Sequence, residues 1–254
     1  MNSTESAPGL VELRNVSKTF ANGVRALDDL ELDIGSGEFV SLLGPSGCGK
    51  STALRIIAGL TTASSGSVSW PKGSARIGFV FQEPTLMPWA DVAANARLPL
   101  RLANNDDVGA VAQALDRVGL SAFAQSYPRE LSGGMKMRAS IARALVTEPQ
   151  LLLMDEPFAA LDEITRFKLD NDLLAVWQAV RSTVIFVTHS VFESVYLSQR
   201  IIVITPRPGR VFTEIPISAR YPRDESFRTS AEYAGFCRQV AAALANAMAA
   251  GAAS

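Results

Sequence analysis

The stretch Gly44-Pro45-Ser46-Gly47-Cys48-Gly49-Lys50-Ser51-Thr52 places glycine, lysine and hydroxyl groups at the spacing G-x-x-x-x-G-K-[ST]. That spacing suits a polyphosphate. Glycines let backbone N–H groups turn inward with no Cβ between them and the phosphate oxygens. A helix opening at the end of the loop adds the positive end of its dipole. Lys50 is placed to reach the β- and γ-phosphates and Ser51 to bind Mg²⁺, so ATP with Mg²⁺ is the expected ligand and hydrolysis the expected chemistry. A second group follows the apolar run Leu151-Leu-Leu-Met, which ends in Asp155 and Glu156. In an open parallel sheet ligands gather at the C-terminal strand ends. Asp155 is therefore a candidate Mg²⁺ ligand. Glu156 points away from Asp155 by strand alternation and is a candidate to polarise an attacking water. Taken alone, two acids there also read as ordinary strand-end caps. The third group is Leu131-Ser132-Gly133-Gly134, ahead of a helical pattern over Met135–Val146. Ser132 suits an N-cap and the glycines expose backbone N–H groups, but by itself this reads as a capped helix start.

These groups need strand ends and helix starts to hold them. Residues 11–43 read as strands, with turns at Asn22-Gly23 and Gly35-Ser36-Gly37. Phe39–Leu43 is a short apolar run ending at glycine, as a buried strand does. Ser51–Leu60 reads as a helix and Arg76–Phe81 as a strand. From residue 89 to 146 alanine and leucine rise and strand runs vanish, with helical patterns over Asp107–Val118 and Met135–Val146. Leu151–Met154, Thr183–Thr188 and Ile201–Thr205 read as buried strands, with a helix over about 164–180. The alternation predicts a mostly parallel sheet. Arg220–Arg228 reads as a linker. Beyond it Tyr233, Phe236, Val240, Leu244 and Met248 recur at helical spacing, as a stripe packed on the core or, in the other reading, a partner or dimer contact.

Bulk composition limits the function classes. The chain has 254 residues, 48% of them hydrophobic, enough for one large α/β domain or a domain with an inserted lobe. The net charge of −1 gives no support for a nucleic-acid grip. Cys48 and Cys237 do not make a disulfide framework and read as free thiols. The polar N-terminus MNSTESAPG is unlike a signal peptide. No run reaches the 18–20 or so strongly apolar residues of a membrane span, and the tail Ala241–Ala253 is too weakly hydrophobic. A membrane role must come through a partner.

Together the motifs resemble the ATP-binding subunits of ABC transporters, over about residues 10–215. Gly44–Thr52 is similar to the Walker A motif, Leu151–Glu156 to Walker B, and Leu131–Met135 to the signature motif, with methionine where glutamine is commonest. Ala160-Leu161-Asp162 resembles the D-loop. Gln82 matches the Q-loop glutamine, His189 the switch histidine, and Phe20 the aromatic that stacks on adenine; a core phenylalanine is the other reading of Phe20. The resemblance implies an α/β P-loop NTPase (RecA-like) core, an N-terminal antiparallel β subdomain and an inserted α-helical subdomain at about 86–146. The ATPase domain would span 10–218, with a C-terminal linker and helix at 219–254. It also implies a head-to-tail homodimer in which Ser132, Gly133 and Gly134 of one copy cap the γ-phosphate held by the other. Glu156, His189, Gln82 and Lys50 would be catalytic, and Ser51, Gln82 and Asp155 would hold the metal. Cys48 sits at a variable loop position and reads as a small filler.

Phe81-Gln82-Glu83-Pro84-Thr85-Leu86-Met87-Pro88-Trp89 resembles more narrowly the nitrate, sulfonate, taurine and pyrimidine-precursor importers. So do Tyr196–Arg200 and Pro206-Arg-Pro-Gly-Arg210. Thr188-His189-Ser190 has serine where aspartate is commoner, which leans toward the pyrimidine-precursor branch. The implied partners are a second copy, an integral membrane permease and, indirectly, an extracytoplasmic solute-binding protein. The implied place is the cytoplasmic face of the inner membrane, peripherally attached. The alternative is a soluble, non-transport ABC ATPase of translation or DNA repair. Those usually carry two cassettes or long coiled coils; here there is one cassette and no heptad run. A regulator that binds without hydrolysing is the third reading, and Glu156 with His189 speaks against it.

Overall fold

The computed structural model describes residues 9–105 and 107–252. The start of the polar N-terminus, residues 1–8, and the last residue of the Ala241–Ala253 tail lie outside them. In chain order the elements are β1 (Gly9–Thr19), β2 (Arg25–Gly35), β3 (Phe39–Leu43), α1 (Lys50–Ile57), β4 (Ser65–Ser69), β5 (Ile77–Val80), α2 (Val92–Leu102), α3 (Val108–Arg117), α4 (Gly133–Leu145), β6 (Leu151–Asp155), α5 (Glu163–Val180), β7 (Thr183–Thr188), α6 (Val191–Leu197), β8 (Arg200–Ile204), β9 (Val211–Pro216), α7 (Glu225–Arg228) and α8 (Ala231–Ala252). They fall into two compact units, one of residues 1–75 with 183–254 and one of residues 76–182.

In the first unit β1 pairs antiparallel with β2 and β4, forming a three-stranded sheet. β3 pairs parallel with β7 and β8, and β9 closes antiparallel on β8. β3 and β7 are buried at every residue, as strands covered on both faces are. The one hydroxyl in β3, Ser41, is hydrogen-bonded to Ser198. Arg200 ties these layers at their edge. It takes Glu38 in a two-point ion pair at 2.7 and 2.9 Å and reaches Glu214 at 2.6 Å and the Asp33 carbonyl at 2.6 Å.

The second unit holds the parallel pair β5–β6 and helices α2 to α5. The helix starts follow local chemistry. Asp91, Asp107, Ser132 and Asp162 each cap their helix by accepting the backbone N–H three residues on. Helix α2 was not singled out in the sequence, because Pro99 lies inside it and blurs its pattern.

Several boundaries move for physical reasons. Helix α1 stops at Ile57, short of Leu60, because Gly59 takes φ 71 and turns the chain out. Helix α4 begins at Gly133, two residues before Met135, because Ser132 is its cap. Strands β4 and β9 add to the expected ones, without an apolar pattern to announce them: β4 is Ser-Gly-Ser-Val-Ser, nearly all exposed, and β9 buries a single residue, Ile215. The stripe of α8 runs through Tyr233, Cys237, Val240 and Ala247, all buried, while Met248 is half exposed. Both cysteines are buried free thiols, as expected.

The expected linker at 220–228 is instead docked. Arg223 is buried and fans onto the end of α6. One guanidinium nitrogen donates to the carbonyls of Val195, Tyr196 and Ser198, each at 2.9 Å, and the other to Ala219 at 3.0 Å and Ile217 at 3.4 Å. Tyr221 donates to the Leu197 carbonyl at 2.7 Å and lies against the guanidinium, 4.2 Å from ring centre to Cζ. Burial pushes the Tyr221 phenol up to about 12, against the pull of Arg223. Carbonyls that a helix end leaves without partners are thus satisfied by one side chain and its neighbour. We predict that Arg223→Leu lowers unfolding free energy by about 3–4 kcal/mol, since hydrogen bonds from a charged donor are lost at several buried carbonyls. The urea midpoint at constant slope measures it; a loss below about 1 kcal/mol would mean water replaces the guanidinium.

Candidate functional site

In the first unit the run from β3 into α1 forms the expected strand, loop and helix. Gly47 and Gly49 take φ 75 and 108, in the left-handed region where only glycine is relaxed. The space is also full. A Cβ on Gly49 would lie 2.6 Å from the Ala26 carbonyl oxygen, and one on Gly44 2.9 Å from that of Ile204. Pro45 is partly buried, Ser46 and Gly47 are exposed, and Ser51 and Thr52 are half-buried in the first turn of α1. Lys50 is 4% exposed, and its ammonium lies inside the loop, donating to the carbonyls of Gly44 at 2.8 Å and Pro45 at 2.9 Å. A cation enclosed by a loop whose glycines face a helix N-terminus fits the triphosphate of a nucleotide. Cys48 is buried beneath the loop; burial pushes its thiol up, opposed by Lys50. That agrees with its reading as a filler.

Phe20, just past β1, is 42% exposed, with the Lys18 ammonium 5.4 Å from its ring centre. It is a surface ring rather than a core phenylalanine. His189 follows the wholly buried β7 and is exposed. Ser190 caps α6, accepting from Glu193 N at 3.2 Å, and its own N–H donates to Thr188 Oγ1 at 2.9 Å. Serine and aspartate cap helices equally well. The serine therefore serves as the cap of α6 in place of the commoner aspartate.

In the second unit Asp155 ends β6 and is buried, and Glu156 next to it takes φ 47. A glutamate held in the left-handed region is uncommon, and such positions gather at functional sites. Ser132 accepts from Met135 N at 3.3 Å. A Cβ on Gly133 would meet Leu161 at 3.3 Å and one on Gly134 would meet Thr165 at 2.9 Å. The unit thus brings Ser132–Gly134 beside the segment ending in Asp162. Asp162 caps α5 through Thr165 N at 2.9 Å, and that bond holds its carboxyl below the usual range.

Gln82 is exposed at the start of the segment that follows β5. That segment is fixed by residues the sequence did not flag. Arg143 on α4 donates to the Pro84 and Thr85 carbonyls at 2.7 and 2.8 Å, and burial lowers its pKa. Asn95, fully buried, accepts from Met87 N at 2.7 Å and donates to the Ala90 carbonyl at 3.0 Å. No local pattern links Arg143 to a partner 58 residues earlier. Trp89, at the end of the segment, is 77% exposed.

The parallel pairs, the phosphate loop and the acids ending β6 define a P-loop nucleoside triphosphatase. The family model described as ABC transporter matches residues 27–159. The chain is 45% identical over 241 residues to an uncharacterized ABC transporter ATP-binding protein of Methanocaldococcus jannaschii, covering 91% of this chain and 89% of that one. It is 47% identical over 219 residues to the aliphatic sulfonates import ATP-binding protein SsuB 1 of Pseudomonas savastanoi pv. phaseolicola, covering 85% and 89%. A dimeric post-hydrolysis structure of the ATP-binding cassette MJ0796 with ADP and Pi matches with a TM-score of 0.72 at 33% identity, over 83% of this chain and all of that one. CbiO1 of Clostridium perfringens, part of the complex cbiONQ, matches with 0.73 at 27%, over 83% and 89%. The chain belongs to the ABC transporter family, as its ATP-binding and ATP-hydrolysing component.

Proposed function

We propose that this ATPase drives a membrane importer of a small solute of the nitrate, sulfonate, taurine or pyrimidine-precursor kind, working as a homodimer. The observation that carries the reading is the segment after Gln82: it is clamped by Arg143 and Asn95 and ends in the exposed Trp89. A fixed surface with an exposed indole suits an apolar helix of a partner. Among the described residues no helix is long and apolar enough to cross a membrane. The permease would be that partner, with this chain peripheral on the cytoplasmic face and a solute-binding protein on the other side. The relatives named as sulfonate import proteins support a sulfonate before the other solutes.

The roles follow from side-chain chemistry. Backbone N–H groups of Gly44–Thr52 and the Lys50 ammonium hold the phosphates, and the exposed face of Phe20 takes the adenine. Ser51, Asp155 and Gln82 each carry a hard oxygen of the kind Mg²⁺ takes, and would serve as its ligands. When bound, Mg²⁺ supplies charge neutralisation on the β- and γ-phosphates. Glu156 orients and deprotonates the attacking water, with His189 as its companion at the γ-phosphate. Ser132, Gly133 and Gly134 serve the nucleotide of the second copy, and Asp162 is a further nucleotide-binding residue. Residues 10–218 form the ATPase domain, with 86–146 as its helical insertion and 219–254 as its C-terminal extension.

Trp89→Ala tests the carrying observation. We expect the variant to hydrolyse ATP alone but to lose co-purification with a polytopic membrane protein and to lose solute uptake. Recovery of ribosomes or nucleic acid in place of a membrane protein would sink the importer reading in favour of a soluble ABC ATPase.

A further inference from the structure

The turn Pro206–Arg210 between β8 and β9 has no role in the chemistry above, yet its polar atoms face the phosphate loop or the strand beside it. Arg207 Nε donates to the Gly47 carbonyl at 3.0 Å. Gly209 lies so close beneath the loop that a Cβ there would sit 2.2 Å from the Cys48 carbonyl oxygen. Its N–H donates to the Ala26 carbonyl at 2.9 Å, and its carbonyl accepts from Asp28 N at 3.0 Å. Ala26 is also the residue whose carbonyl abuts Gly49 on the other side of the loop. The loop is therefore enclosed between the start of β2 and this turn.

The turn is itself rigid. Thr205 N donates to the Arg210 carbonyl at 3.0 Å, and Thr205 Oγ1 donates to Pro208 O at 3.1 Å and accepts from Arg210 N at 3.0 Å. Two prolines fix their φ angles. Arg210 pairs with the buried Asp28 carboxylate, which also holds Arg25. Near the end of α8, a Cβ on Gly251 would come 2.7 Å from the Pro206 ring, so the C-terminal helix backs the turn.

We propose that this turn is a brace that keeps the phosphate loop in its ligand-binding shape, with Arg207 as a positioning residue for ATP and ADP. The inference rests on the reading of Gly44–Thr52 as the nucleotide phosphate site. A loop rich in glycine is the costliest backbone to order. A donor on the outward Gly47 carbonyl keeps the neighbouring N–H groups aimed inward before the ligand arrives, and preorganisation raises affinity. The guanidinium acts on the loop, so its effect does not depend on the γ-phosphate.

The test is nucleotide affinity of the full chain, read by fluorescence titration with ATP and with ADP. Arg207→Ala is expected to weaken both alike, by about 5- to 10-fold, the size of one ordinary net hydrogen bond at an exposed site. Under turnover the loss should appear as a raised KM larger than any fall in kcat. Arg210→Met, which loosens the turn from Asp28, should weaken both nucleotides in the same direction. Arg207 is exposed, so the urea midpoint of its variant should stay near that of the parent. Unchanged ATP and ADP affinities in Arg207→Ala would overturn the brace. So would a loss confined to ATP, or full recovery in Arg207→Lys with a deficit that vanishes at high salt, since those mark direct charge attraction. Normal ATP binding by Lys50→Ala would remove the underlying site and the brace with it.

Discussion

Glu156→Gln is expected to bind ATP as tightly as the parent and to lose turnover by on the order of 100- to 10,000-fold, the span that a positioned general base contributes. The substitution keeps size and shape, exchanges one accepting oxygen for an amide NH2 donor, and removes the carboxylate that can take a proton. Backbone strain is no obstacle, because glutamine meets the same φ of 47° on the same terms as glutamate. Asp155 is untouched, so the metal ligand remains. Phosphate release measures the loss, on the chain alone and with its permease. If two copies enclose each nucleotide, the variant should also accumulate as an ATP-dependent dimer in size-exclusion chromatography, while the parent returns to monomer as ATP is consumed. Parent-like turnover would move the general-base role away from Glu156.

How much of this was visible beforehand depends on whether the cause was local. The phosphate loop was legible because its glycines and lysine are dictated by backbone geometry within nine residues. The strands β3, β6 and β7 were legible because burial on both faces leaves continuous apolar runs. The caps Ser132 and Asp162 follow from side-chain oxygens that reach the next turn. The rest was hidden where the cause lies far along the chain. Arg223 reads as one charge in a proline-containing polar stretch, and only the fold brings the end of α6 to it. Arg143 reads as a helix surface residue until the Pro84–Thr85 backbone is laid across it. Strand β4 has no apolar face at all, and pairing with β1 alone makes it a strand. Arg207 belonged to a recognisable motif, but its target, the Gly47 carbonyl, is 160 residues away. The roles of Gly134 show both cases at once. Its sequence context marks a helix start with open N–H groups, while the structure adds that a Cβ there would meet the Thr165 methyl at 2.9 Å, so a larger residue forces a shift.

Lys50→Ala is expected to weaken ATP by about 10- to 150-fold, since hydrogen bonds made by a charged group contribute about 1.5–3 kcal/mol each. Two effects act in the same direction. The ammonium is the positive charge inside the loop, and it also ties the Gly44 and Pro45 carbonyls together. Without it those carbonyls turn their negative ends toward the phosphates with no cation between. Arginine is not a remedy, because its planar fork is larger than an ammonium and the space at Gly44 is already closed by Cys48 and Ile204. ADP should weaken as well, because the lysine reaches the β-phosphate. AMP lacks both phosphates and serves as the internal control, with equal affinity in variant and parent. The comparison separates Lys50 from Glu156: the lysine variant loses the ligand, and the glutamine variant keeps the ligand and loses the reaction. An ATP dissociation constant within about two-fold of the parent, less than one such bond, would mean that the enclosed ammonium serves only the loop's own carbonyls and that Gly44–Thr52 is not the phosphate site.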